Sequence, residues 1–210
     1  SYGLEMGNGI IFSDSNPLFA FIFKPFSALL PEPFQYFGLW LLTCFVLQSW
    51  FAWKLIGLFS RDVALRLLGA GMFLFIPAMI VRMSVHLSLA GHFLLLAGLC
   101  LALRPFTPKR RLAWGALLAA AALVHAYLLA MVALIWLADL AAKTLQRRQT
   151  PGKALIELIG LFLLVSVCCW QAGYFSIGDS GLALMGYGLF RANVLTFFDA
   201  GVWSYTLQDK

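Results

Sequence analysis

The sequence predicts an all-α fold, a polytopic bundle of about six transmembrane crossings with an interfacial helix before them. Three observations carry this. Of 210 residues, 62% are hydrophobic and 11% charged, against roughly half and a quarter in soluble domains. The mean hydropathy is +0.87. The apolar residues gather in separable runs, most of them near the length of about 20 residues that a spanning helix needs. The net charge of +6 is concentrated in short segments between the runs. No soluble segment interleaves basic and aromatic residues as nucleic-acid binding requires, so no nucleic-acid partner is expected.

The chain divides into an outer loop at 1–34, a helical bundle at 35–172 and an outer C-terminal segment at 173–210. The loop contains GNGIIFSDSNPLFAF at 7–21. Asn16 followed by Pro17 is an N-cap and first-position pair. The helix it starts is too short to span. Phe19, Phe21, Phe23 and Phe26 with Lys24 suit a helix lying in the membrane interface, and Pro25 ends or kinks it. Asp14 is the lone acid just ahead. It reads either as a cap or as an active-site acid at the membrane face.

Runs at 35–57, 64–81, 85–103 and 154–172 each fit one crossing. The run at 112–142 does not, because a straight helix of that length would extend roughly 46 Å against a hydrocarbon core of about 30 Å. Basic residues cluster at 104–111 (RPFTPKRR), at 143–153 (KTLQRRQTPGK) and around 58–63, with Lys54, Arg61 and Arg66. The positive-inside rule places all three loops in the cytoplasm. Both flanks of 112–142 then lie on one side, so this run is expected to enter and return as a short-helix hairpin reversing near Val124, His125 and Ala126. One tilted helix with a basic loop outside is the alternative.

Ionisable residues at membrane depth are costly and therefore candidates for function. RMSVHLSLAGH supplies Arg82, His86 and His92. Arg82 and His86, four apart, share a helical face if their helix begins early. Snorkelling explains Arg82 otherwise, and a hydrogen-bonded core position explains His92. His125 sits at the hairpin tip. Asp139 with Lys143, and Glu157 beside Lys153, read as structural pairs at the inner face. Gln48 and Gln171 read as interhelical hydrogen bonding. The tail, GDSGLALMGYGLFRANVLTFFDAG, reads as an ordered outer loop that adds Asp179, Arg191, Asn193 and Asp199.

Cys44, Cys100, Cys168 and Cys169 lie inside apolar runs and read as small buried hydrophobes. Walker A, G-x-S-x-G and H-E-x-x-H motifs are absent. Spacing of i, i+6 puts His86 and His92 on different helix faces, so no metal site is assigned. A divalent cation such as Mg or Mn, if one is used, belongs on outer-loop carboxylates. The start at Ser1 without an initiator Met predicts a piece of a longer protein.

GNGIIFSDSNPLFAFIFKPFSALLPEPFQYFGLW together with LVHAYLLAMVALIWLADL resembles a bacterial family of membrane proteins usually placed with the GT-C superfamily of polytopic glycosyltransferases. The resemblance covers most of 1–172. It implies sugar transfer from a polyprenyl-phosphate donor to a glycan, lipid or protein acceptor at the extracytoplasmic face of the bacterial inner membrane. Enzymes of that kind carry a catalytic acid near the membrane in the first outer loop. Asp14 matches that place and Glu5 is the second choice. The neighbours of Asp14 are Ser13 and Ser15, not the second acid that many of these enzymes have. The resemblance further implies Arg82, His86, His92, His125 and Arg191 as groups for the lipid phosphate or sugar.

Overall fold

The computed structural model describes residues 14–107 and 109–175. The expectations for Glu5, for Arg191 and for the tail beyond residue 175 lie outside them. All regular structure among the described residues is helical.

Helix α1 (Pro17–Phe23) starts as its sequence dictates. Asn16 Oδ1 accepts from the Phe19 amide and Pro17 occupies the first turn. Beyond Phe23, Lys24–Leu29 continues as a 3-10 segment with Pro25 in its first turn. Phe19 is buried against Trp40 and Tyr36, whereas Phe21 and Phe26 are exposed.

The bundle follows with α2 (Phe37–Ile56), α3 (Val63–Leu74), α4 (Pro77–Val85), α5 (Phe93–Leu103), α6 (Arg110–Val124), α7 (Ala126–Leu145) and α8 (Pro151–Gln171). Asp62 caps α3, accepting from the Leu65 amide at 2.9 Å. Pro77 separates α3 from α4, as expected of a residue that lacks an N–H and clashes with the preceding turn. Thr150 caps α8, with Pro151 in its first turn. Between α7 and α8, Arg147 has a φ of 54°. A non-glycine residue enters that left-handed region at a cost of about 1–2 kcal/mol.

Four helical segments are long and apolar enough to cross a membrane: Phe37–Ile56, Val63–Val85, Ala126–Leu145 and Pro151–Gln171. Six crossings were expected. The other two runs form shorter helices, because 85–103 is broken at His86 and again at Gly91 and His92, and α6 has 15 residues. The reversal near residue 125 is present. His125 alone joins α6 to α7, and Arg110 at the start of α6 meets Asp139 near the end of α7, so the two helices run antiparallel.

The core lies where α2, α5, α6 and α7 meet. Trp40, Trp114, Leu94, Leu118, Leu128 and Val132 are fully buried there. The outward faces are apolar as well. Leu68, Met72, Ile156, Phe162 and Trp170 are all more than 60% exposed, and at most 33% of any spanning window is buried. Exposed apolar side chains of this number would drive association in water, as expected of helices long and apolar enough to cross a membrane. Cys44, Cys100 and Cys169 are buried, and all four cysteines are free thiols. Gln48 joins α2 to α3 through the Phe73 carbonyl at 3.1 Å. Gln171, in contrast, is exposed.

One end of the bundle holds a buried ion network. Asp139 accepts from Arg110, from Trp114 Nε1 at 2.8 Å and from Lys143 at 3.3 Å. Lys143 also reaches Glu157 at 3.3 Å, and Glu157 takes Arg111, Trp136 and Gln149. The Asp139–Lys143 pair is the one expected. The partner expected for Glu157 was Lys153, and that is corrected: Glu157 is turned inward to Lys143 and Arg111. Both carboxylates sit almost wholly out of water, where only several donors offset the lost hydration.

Candidate functional site

At the opposite end, Asp14 precedes α1 and is half-buried. Its Oδ2 accepts from the Leu87 amide. Its Oδ1 accepts from the Ser88 amide at 3.1 Å and from the Ser88 hydroxyl. Those amides open the 3-10 turn Leu87–Ala90. The acid therefore caps a turn more than seventy residues away in the chain, not the helix beside it. Trp40 Nε1 donates to the Leu87 carbonyl at 2.7 Å, and the Tyr36 hydroxyl donates to the Asn16 carbonyl at 3.4 Å. The start of α2 thereby holds both partners of the contact. Hydrogen bonds to a charged group contribute roughly 1.5–3 kcal/mol each. A carboxylate offers about four lone-pair sites, so the three bonds leave acceptor capacity free.

The candidate residues on the described chain occupy different elements. Arg82 lies in α4 and is half-buried; His86 caps the C-terminus of α4 and is exposed. The expectation that both share a helical face is corrected, because α4 stops at Val85 and His86 has φ −143° and ψ 78°. His92 is the N-cap residue of α5, so no helix runs continuously from His86 to it. His125 stands in extended backbone between α6 and α7. Its Nδ1 accepts from the Tyr127 amide at 3.2 Å. That bond requires a bare Nδ1 and leaves the proton of the neutral ring on Nε2.

Electrostatics gathers these dispersed residues. Burial pushes the pKa of His125 below its ordinary value; Asp14 opposes this, while His86 and Arg82 push the same way as burial. The charge of Arg82 also reaches His92. Asp14, His86 and Arg82 thus each act on His125, and Arg82 acts on His92 as well. The side chains of Arg82 and His86 have no hydrogen bond or ion pair among the described residues, which leaves a guanidinium available to an anion.

Asp14 is the one carboxylate of this group among the described residues, and no three His, Cys, Asp or Glu among those residues converge to hold a metal. A hard divalent cation requires several oxygen ligands. One carboxylate already bound to three donors does not fit it.

The sequence did not single out Ser88 or Trp40, which fix the acid. Both look ordinary locally, and only the approach of the loop to residues 86–90 gives them this task.

A family model described as Domain of unknown function (DUF6311) matches residues 1–210. No curated protein and no solved structure matches the chain.

Proposed function

The chain belongs to the DUF6311 family, and we propose that it is a membrane glycosyltransferase of GT-C type, moving a sugar from a polyprenyl-phosphate donor to an acceptor hydroxyl. The observation that carries this reading is the Asp14 carboxylate fixed on the turn that follows α4, the helix that carries the uncommitted Arg82 and ends at His86. In this reading the basic end faces the cytoplasm by the positive-inside rule. The Asp14 end then faces outward from a bacterial inner membrane, the chain crosses six times with α5 and α6 as short crossings, and α1 lies in the interface.

Asp14 takes the proton of the acceptor hydroxyl as that oxygen bonds to the anomeric carbon. The bond from that carbon to the phosphate oxygen breaks, and the polyprenyl phosphate leaves with the electron pair. Arg82, with His86 or His125, meets the charge that develops on the leaving phosphate. The lipid chain of the donor stays in the bilayer beside the bundle.

Transport of a lipid-linked or small polar substrate is the competing class. It requires a polar path between the two ends. Among the described residues the middle of the core is Leu94, Leu118, Ala121, Leu128 and Val132, which favours chemistry at one face.

The test is Asp14→Asn, which keeps an acceptor for Ser88 and removes the base. In membranes supplied with radiolabelled polyprenyl-phosphate sugars, transfer should fall at least about 100-fold, the low end of what general-base catalysis contributes. Insertion and melting should remain close to the parent. Unchanged transfer by the variant would falsify the assignment of Asp14.

A further inference from the structure

We propose that the turn between α7 and α8 binds an anionic phospholipid whose headgroup carries a free hydroxyl, phosphatidylglycerol being the simplest example. This site is at the other end of the bundle from Asp14 and does not rest on the transferase reading. The chemistry common to the two sources is an anionic phosphate group, and the observations favour a lipid source over free phosphate.

A cavity of about 330 Å³ is lined there by Arg111, Lys143, Arg147, Arg148 and Lys153, with Glu157 as its single carboxylate. Glu157 is already committed to Arg111 and Lys143. The side chains of Arg147, Arg148 and Lys153 have no hydrogen bond or ion pair among the described residues. The cavity therefore carries a surplus of uncommitted cations, which favours phosphate.

Gln149 gives a second, independent observation. It is 7% exposed and lines the same cavity. Its Nε2 donates to Glu157 at 3.2 Å, which fixes the amide orientation. Its Oε1 is buried with no donor. A buried acceptor without a donor is costly, and a headgroup hydroxyl supplies one. An ammonium headgroup would do so only against the repulsion of the surrounding cations.

The lipid source follows from what adjoins the cavity. An apolar groove lined by Leu137, Leu140, Ala141, Ala154, Leu155 and Leu158 runs between α7 and α8. Consecutive residues divide between the two concavities: Lys143 and Thr144, Thr150 and Pro151, Lys153 and Ala154, Glu157 and Leu158. A charged cavity and an apolar groove side by side match a headgroup and its acyl chain, as basic pockets between membrane helices do generally. Free phosphate would leave the groove unused.

The experiment measures lipid retained by the full chain, purified in detergent and titrated with phosphatidylglycerol, phosphatidic acid, phosphatidylethanolamine or inorganic phosphate, and read by native mass spectrometry. Phosphatidylglycerol should bind most tightly and resist millimolar inorganic phosphate. Arg148→Gln with Lys153→Gln should weaken it about 25-fold, at roughly fivefold per basic residue. The same charge change at exposed Arg104 and Lys109, outside the cavity, should have little effect. Gln149→Leu should remove the preference for phosphatidylglycerol over phosphatidic acid. Equal losses from the two double variants would overturn the site in favour of general surface charge. Inorganic phosphate that displaces the lipid fully would overturn the lipid source.

Discussion

The two ends of this helical bundle treat charge in opposite ways. At the α7–α8 end, Asp139 and Glu157 are buried and surrounded by Arg110, Arg111, Lys143, Trp114, Trp136 and Gln149. Each carboxylate is bound by several donors, and the network ties α6, α7 and α8 together. At the other end Asp14 is half-buried, its partners are two backbone amides and one hydroxyl, and the side chains of Arg82 and His86 have no fixed partner among the described residues. A buried charge that is fully partnered holds helices together. A charge that is fixed in place but keeps spare capacity beside uncommitted groups can act on something else. The contrast separates architecture from the candidate site more sharply than the residue types do, since both ends combine acids with arginines.

The largest effect that tests this contrast is Asp139→Ala. It leaves Arg110 buried without its carboxylate and orphans Trp114 Nε1. Loss of one member of a buried pair costs about 3–5 kcal/mol, so the yield of folded protein and the melting temperature in detergent should both fall steeply. A cost no larger than that of a change at the Asp14 end would erase the distinction between the two ends.

Ser88→Ala comes next. It removes one of three donors to Asp14 and leaves both amides, so stability should drop by about 1–2 kcal/mol by thermal unfolding. Sugar transfer should persist, because the acid stays in place. Transfer lost together with stability would make the hydroxyl part of the site and not only its support.

Tyr174, three residues beyond α8, has a hydroxyl that donates to the Ala122 carbonyl at 3.0 Å, and burial pushes its pKa up to about 12. Tyr174→Phe should cost about 0.5–1.5 kcal/mol. The loss should not change with pH below about 9, where the phenol stays protonated in both folded and unfolded chains, and the contribution declines as the pH rises through 10 towards the folded value of about 12.

The smallest effect concerns His125. Its pKa is lowered from 6.5 by burial, so the unfolded chain binds the proton more readily. The contribution to stability is complete above pH 6.5 and declines as the pH falls through the folded value. His125→Gln should flatten that part of the melting-temperature profile. A parent protein equally stable across that range would show that this imidazole is not held neutral by its surroundings.

Much of the helical layout is legible in the residues. Asn16 and Pro17 start α1 and Pro25 ends it, because each acts through local backbone geometry. The reversal at His125 was expected from length and charge together, since a 31-residue apolar run between two basic loops is better accommodated by a hairpin than by one tilted helix. The break in the third run was not legible. LSLAGH contains no proline, and its break into a 3-10 turn depends on Asp14 arriving to satisfy the Leu87 and Ser88 amides. The partner of Glu157 was misjudged for a related reason. Lys153 is its helical neighbour in sequence, but Lys143 and Arg111 lie across the interior.

By itself the sequence determined the apolar character, the positions of most helices and the clustering of basic residues between the apolar runs, because composition, capping and periodicity are local properties. Only the tertiary structure decided which charges are spent on each other and which remain available. That outcome depends on contacts between residues far apart in the chain, and burial gives those contacts their strength.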